Sequence, residues 1–393
     1  MSRVVIVADD LTGAADSAAA YGPFTEVAVV LDASAGLPAA EVVAIDTDSR
    51  HRSPEFAAQA VRSAVRAAAR GGRTLYKKID STLRGHVATE VIAALDELGP
   101  SAGALLAPSF PATGRTVTGG VLHVGSEPHR NGELRALFTG SGVGTALVPL
   151  EVVRSGPKAV VHAYDTHRAA GVRVVCADAE TDEDLRVLDA ALAQLGPHVL
   201  PVGSAGLTRA AVGVGSTPRR DDEQPPDGQV LTVLGSYSAL GREQRAVLAA
   251  SPEVTAVEIA APFGLAQQRN AAAALSAAGG DLLLIPDPDA PVHRSHAGEV
   301  AAALSEVTAG HLRAHASPRG LILAGGETAR AVLLSAGAKG FTVLGELEPG
   351  VVRSRVPALG GLALITKAGA FGEPSTVEQA RRSLHENTFT AAR

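Results

Sequence analysis

The feature that most constrains this chain is a unit that repeats from its first residues: a short β-branched run stops at a cluster of polar residues, and a helical period follows. Arg3 to Ala8 is such a run, continuously apolar as a strand covered on both faces must be. It ends in Ala8-Asp9-Asp10-Leu11-Thr12-Gly13-Ala14, ahead of a small-residue helix to about Tyr21. Val42 to Ile45 ends in Asp46-Thr47-Asp48-Ser49-Arg50, and a helix from Pro54 to about Arg70 leads to the strand Thr74-Leu75-Tyr76. That strand runs into Lys77-Lys78-Ile79-Asp80-Ser81-Thr82-Leu83-Arg84-Gly85 and a helical period at Val87, Val91, Ile92 and Leu95. Strand, polar loop and helix in this order predict a parallel, doubly wound sheet. Open sheets of that kind bind ligands in the crevice beyond the carboxyl ends of their strands.

At 393 residues the chain exceeds what one hydrophobic core usually serves, so two domains are expected. Gly213 to Gln229, polar, rich in Pro and Gly and without periodicity, marks the boundary. It separates a domain over 1–212 from one over 230–393. Gly103–Ala107, Thr145–Val148, Val172–Ala177, His198–Val202 and the earlier Val27–Leu31 read as further strands of the first. Val230–Leu234, Val254–Ile259, Leu282–Ile285, Leu321–Leu323 and Leu362–Thr366 read as strands of the second. The predicted architecture is α/β, two domains that are each a mainly parallel sheet flanked by helices, with a ligand cleft between them.

Composition narrows the function classes. A net charge of −6, with basic residues dispersed among acids, argues against general nucleic-acid or membrane-surface binding. No apolar stretch reaches membrane-spanning length and no charged leader precedes the first strand, so a cytoplasmic protein is expected. Cys176 stands alone and reads as a small buried residue in a reducing compartment. Only 3% of the chain is aromatic; Ala- and Val-rich surface helices of this kind would suit a homodimer.

The polar strand ends carry the chemistry. Lys78, Asp80, Ser81 and Arg84 suit an anion with hydroxyls: a point charge, a planar fork and short acceptors. A charged surface turn capped by Asp80 or Ser81 is the plainer account of the same residues. Asp9 and Asp10 in tandem, at a strand end with a Thr-Gly helix start, suit metal or hydroxyl chemistry beyond a helix cap. Arg115, in the Pro- and Gly-fixed loop Pro108-Ser109-Phe110-Pro111-Ala112-Thr113-Gly114-Arg115-Thr116, suits a carboxylate clamp or a solvated connection. In the second domain, Ala324-Gly325-Gly326-Glu327-Thr328 and Lys367-Ala368-Gly369 are Gly-bearing strand ends, joined by Ser236 at a third. Backbone N–H groups at such turns approach phosphate closely. Neither a Walker A loop nor a G-x-G-x-x-G fingerprint is present, and the histidines show no metal spacing, so no metal ligand is assigned.

Taken together, ADDLTGAAD, KKIDSTLRG, PSFPATGRT, GSAGL, AGGETA and KAGAFG, in this order, resemble the four-carbon acid sugar kinase family of threonate, erythronate and 3-oxo-tetronate kinases. The likeness spans nearly the whole chain. It implies an N-terminal domain that binds the sugar acid through Asp10, Lys78, Asp80, Ser81 and Arg84. It also implies a C-terminal domain that binds ATP through Ser236, Gly325 to Thr328 and Gly369. The implied reaction phosphorylates the terminal hydroxyl of a tetronate, with Mg²⁺ bridging the ATP phosphates. The chain departs from the pattern at Ala368 and Ala370, where the family has Ser and Gly, and at His86, where Asn is expected.

Phosphoryl transfer asks for positioning and charge neutralisation more than covalent work. The expected arrangement sets the acceptor carboxylate on Lys78, Arg84 or Arg115 and its hydroxyls on Asp80 and Ser81. Asp10 or Asp9 orients the attacking hydroxyl. Lys367 and Glu327 complete the nucleotide side. The competing functions are a non-catalytic sugar-acid or nucleotide sensor, an NAD-dependent oxidoreductase, and a kinase for a different sugar acid.

Overall fold

The computed structural model describes residues 3–33, 36–212, 227–290, 297–315, 318–369 and 371–386. Most of the expected linker, and Ala370, lie outside these residues. The chain divides into two compact units, Met1–Tyr21 with Ala33–Thr217, and Gly22–Asp32 with Pro218–Arg393.

In chain order the elements of the N-terminal half begin with β1 (Val4–Ala8), α1 (Leu11–Ala19), β2 (Val27–Val30), β3 (Val42–Asp46) and α2 (Pro54–Arg70). Next come β4 (Thr74–Lys78), α3 (Val87–Leu98), β5 (Gly103–Ala107), β6 (Arg115–Thr118), β7 (Val121–Val124) and β8 (Glu127–Glu133). They continue with β9 (Thr145–Val148), α4 (Leu150–Arg154), α5 (Pro157–Ala169), β10 (Val174–Ala177), α6 (Asp182–Leu195), β11 (Val199–Gly203) and α7 (Ala205–Ala211). The sheet of the first unit runs β3-β1-β4-β11-β5-β10-β9, every pair parallel. Val5, Ile6 and Val7 of β1 are fully buried, which is why that strand shows no polar alternation. The chain leaves β1 toward β3 on one side and leaves β4 toward β5 on the other. Their carboxyl ends therefore flank the point where the winding reverses, the natural crevice of such a sheet.

The second unit contains β12 (Val230–Leu234), α8 (Ala239–Ala249), β13 (Val254–Ile259), α9 (Leu265–Ala277), β14 (Asp281–Pro286) and α10 (Ala297–Ala314). It ends with β15 (Gly320–Ala324), α11 (Gly326–Ser335), β16 (Gly340–Glu348), β17 (Val351–Val356), β18 (Leu362–Lys367) and α12 (Thr376–Glu386). Its sheet runs β13-β14-β12-β15-β18-β17-β16-β2. The order is parallel from β13 to β18 and antiparallel through β17, β16 and β2. Leu234, Leu283, Ile322, Ile365, Val377 and Leu384 form one apolar cluster on it. Here the winding reverses between β12 and β15. The early strand β2 pairs with β16, Val27 opposite Val343 and Val30 opposite Gly340, and so belongs to the second unit.

Two parts of the fold differ from the sequence expectation. Residues 115–133, which include the end of the expected loop and a stretch with no expected strand, form a separate antiparallel sheet β6-β7-β8. The sequence of β8, Glu-Pro-His-Arg-Asn-Gly-Glu, has the residues strands avoid, and only pairing with β7 makes it one. The hairpin β16–β17 was also not anticipated; its pairing is interrupted by register shifts near Val343–Gly345 and Glu346–Glu348. Cys176 is fully buried in β10, and burial pushes its thiol up to about 12. Among the described residues no helix is long and apolar enough to cross a membrane.

Candidate active site

In the first unit the polar strand ends converge on a guanidinium. Asp10 has extended backbone and caps α1, accepting from Gly13 N at 2.9 Å and from Thr12 Oγ1 at 2.7 Å. Asp9 turns the other way, where Arg50 donates to both its oxygens, Nε at 2.7 Å and Nη2 at 2.8 Å. Arg50 also reaches Asp10 Oδ2 with Nη1 at 2.7 Å and lies 3.5 Å from Asp80 Oδ1. One cation thus joins carboxylates from the ends of β1 and β4. Burial would lower the Arg50 pKa, but the charges of Asp10 and Asp9 outweigh it and raise it well above its ordinary value. Burial likewise works to raise Asp9, yet Arg50, Lys77 and Lys78 hold it below the usual carboxylate value.

Asp80 is the second hub. Arg84 grips it with Nε and Nη2, both at 2.8 Å, a bidentate pair, while Thr82 donates Oγ1 at 2.6 Å and its N–H at 3.1 Å. Burial opposes the charged form here too, but these bonds and the nearby guanidinium charges hold Asp80 far below the carboxylate range. The loop can make this turn because Leu83 and Gly85 adopt positive φ, 61° and 86°. A Cβ at Gly85 would stand 2.9 Å from Asp9 Oδ2, so only glycine fits there. Lys78 is buried with its ammonium on Ile79 O at 2.9 Å, beside Asp10: a Cβ on Gly13 would meet Asp10 Oδ1 at 2.6 Å and Lys78 Nζ at 2.9 Å. Ser81 is buried in the same loop. Arg115 opens β6 and donates to Thr113 O. Its pKa is lowered by burial and moved in opposite senses by Asp80 and Arg84, which places it in the same electrostatic neighbourhood. Sequence reasoning did not single out Arg50. Its signal in the sequence is its place at the end of the polar run that follows β3.

In the second unit the candidate residues stand at the carboxyl ends of the adjacent strands β12, β15 and β18. Gly325 has φ 100° and holds the cap position of α11 without a capping side chain. The first N–H groups of a helix have no intrahelical partner, and phosphate oxygens are one group that can accept from them. Gly325 N is itself fixed by Lys367 O at 2.9 Å, tying two of the strand ends together. Gly235 packs so tightly on the Thr328 hydroxyl that a side chain there would collide with it. Gly326 opens α11, and exposed Glu327 lies in its first turn. Ser236 Oγ lies 3.0 Å from Ser238 Oγ, and a methyl group on Gly369 would sit 3.9 Å from Ser236 Oγ. Lys367 is buried with Nζ on Ala368 O at 2.8 Å. Burial draws its pKa down to about 8, partly offset by the Glu348 carboxylate. The Ala368 N–H donates to Gly350 O at 2.9 Å, so the backbone at that departure from the family pattern is held in place. His86, the other departure, sits at the N-cap of α3 with Nε2 2.7 Å from Arg52 O.

Two family models match the chain. A sugar-binding N-terminal domain model covers residues 4–211, and a nucleotide-binding C-terminal domain model covers 231–377. The chain is 37% identical to a D-threonate kinase of Cupriavidus necator, over 99% of each chain. It is 34% identical to a D-threonate kinase of Bordetella bronchiseptica over 98% of each, and 28% identical to a 3-oxo-tetronate kinase of Burkholderia multivorans over 96% of each. A solved Salmonella typhimurium LT2 protein, described as a tRNA synthase, superposes with a TM-score of 0.81 over 97% of this chain and 99% of that one. At 22% identity that likeness speaks for the fold alone.

Proposed function

We infer the reaction from a plain premise: this chain belongs to the four-carbon acid sugar kinase family. It is a phosphotransferase with an alcohol acceptor, and the acceptor is a four-carbon sugar acid. Within that class we propose D-threonate as the first acceptor to try, since the relatives of that name at 37% and 34% identity span nearly the whole chain. The phosphoryl group goes from ATP to the terminal hydroxyl.

In this proposal Asp10 orients that hydroxyl. The supporting observation is exposure: the Asp10 side chain is 18% exposed, against 4% for Asp9 and 7% for Asp80. Asp9, enclosed by Arg50, then holds the guanidinium in place. The carboxylate of the acid meets Arg84, Arg115 and Lys78, while Asp80 and Ser81 take its inner hydroxyls. A buried, already paired array gives up little reorganisation energy when an anion arrives, which is how positioning becomes rate.

On the nucleotide side, Gly326 and Thr328 offer backbone donors at the start of α11, Gly325, its own N–H on Lys367 O, shapes the turn for close approach, and Ser236, Lys367 and Gly369 complete the phosphate contact. Mg²⁺ supplies charge neutralisation across the phosphate oxygens when it is bound. Among the described residues no group of three or more His, Cys, Asp or Glu could hold an ion alone. That suits an ion carried mainly by phosphates and waters, and Glu327 is the carboxylate we assign to it.

The test is ADP release from the purified protein with ATP, magnesium and a panel of D-threonate, L-threonate, D-erythronate and 3-oxo-tetronate. Turnover is expected, fastest with D-threonate. ADP formation no faster than in an acceptor-free blank, across the whole panel, would refute the proposal.

A further inference from the structure

We propose that Glu90, which no ligand contact explains, is a positioning residue for the acceptor site, acting through Lys77 and through Ser49 to Arg50. The proposal rests on the acceptor reading above and adds a layer beneath it. Glu90 lies in the first turn of α3, and its carboxylate is divided between two partners. Oε2 is 2.7 Å from Lys77 Nζ, with side chains only 2% and 1% exposed, and Oε1 accepts from Ser49 Oγ at 2.6 Å. Each partner extends the linkage. Lys77 Nζ donates to Val7 O at 3.2 Å and Lys78 O at 2.7 Å. Ser49 Oγ lies 2.8 Å from Thr47 Oγ1, which donates to Ala8 O at 2.8 Å.

One buried carboxylate therefore ties the ends of β1, β3 and β4 to α3. Immediately beyond those ties stand Asp9 after Ala8 and Arg50 after Ser49, the pair that holds the charge array together, and Lys78 after Lys77, which we assign to the acid's carboxylate. Stability alone is a poor reason for such a pair, because well-packed apolar residues usually replace a buried ion pair without loss. What they cannot replace is directional bonding to three strand ends at once. Arg50 must present its guanidinium to Asp9, Asp10 and Asp80 together, and a shift of about 1 Å in such a group can cost on the order of a hundredfold in rate.

The experiment separates positioning from bulk support with the double variant Lys77→Met/Glu90→Leu, which removes both charges and fills the space, and with Ser49→Ala, which cuts one tie and leaves the ion pair. Melting temperature, the KM values for sugar acid and ATP, kcat, and calorimetric affinity for the acid are measured on each. The double variant is expected to melt near the wild type yet lose about tenfold or more in kcat/KM for the acid, its KM for ATP unchanged. Ser49→Ala is expected to show a smaller loss of the same kind. A stably folded double variant with wild-type kcat/KM overturns the positioning role while leaving the kinase reading intact. Equal losses toward acid and ATP, tracking a lowered melting temperature in both variants, also overturn it. A wild-type protein that neither binds nor phosphorylates any acid of the panel overturns the kinase reading, and this inference with it.

Discussion

The strand ends of the first unit are crowded with charge, whereas those of the second are lined with glycine. Around Arg50 stand Asp9, Asp10 and Asp80, with Arg84 on the last of them. Around Gly325 stand Gly235, Gly326, Gly369 and small hydroxyl residues, with Lys367 as the buried cation. On the assignment proposed above, we read the difference as a reflection of what each ligand brings. A sugar acid has one charge and several hydroxyls whose stereochemistry must be read, so its site supplies fixed side-chain donors and acceptors. A triphosphate brings its own charge and many equivalent oxygens, so its site needs close backbone approach and open N–H groups.

The contrast can be broken most severely at Arg50. In Arg50→Met the buried carboxylates lose their shared counter-charge, and a loss of about 3–5 kcal/mol in urea unfolding is expected. Acid binding should vanish in calorimetry, while the protein that remains folded keeps its affinity for ATP. Wild-type acid affinity in this variant would mean the charge array is not what reads the acid.

Asp10→Asn comes next. It keeps the size of the helix cap but changes the group offered to the acceptor hydroxyl, and kcat should fall by about 10²–10⁴-fold with the KM for ATP unmoved. A fall below about tenfold leaves Asp10 with a capping role only.

On the glycine side, Gly325→Ala places a side chain at φ 100°, a strain of about 1–3 kcal/mol. We expect the KM for ATP to rise by about tenfold, equivalent to 1.4 kcal/mol, with acid affinity unchanged. Loss of acid affinity instead would erase the division of labour between the two sites.

The smallest effect is a pH dependence. Lys367 is held near 8 by burial, so kcat/KM for ATP should decline as pH rises through about 8 and the ammonium is lost. Stability should move the opposite way. The unfolded lysine keeps its proton up to its ordinary value of 10.5, so between about 8 and 10.5 the unfolded state binds more protons and folding gains with pH. Both trends should be absent from Lys367→Met. Their persistence would assign them to another group.

Much of this was legible before any coordinates. The strands ending at Ala8, Asp46, Lys78, Leu234, Ala324 and Lys367 follow from β-branched runs that stop at polar or glycine clusters, and the candidate site residues other than Arg115 were chosen at those ends or in the turns just past them. The sheet over 115–133 was not legible, because β8 contains Pro, Gly and three charged residues and owes its form to β7. Nor was the membership of β2, whose Val-Ala-Val-Val says strand but not which sheet. Arg50 was visible as part of a polar run, and Glu90 looked like an ordinary acidic residue in the first turn of a helix.

By itself the sequence determined which residues stand at strand ends, because hydrophobic periodicity is a local property and a strand shows where it stops. Only the tertiary structure decided which of those residues meet. Arg50 is 41 positions from Asp9, and Ser49 is 41 positions from Glu90, and crossovers that place β1 between β3 and β4 bring each pair within hydrogen-bond reach. Charge pairing depends on distance in space, and that distance is set by strand order, which no local pattern encodes.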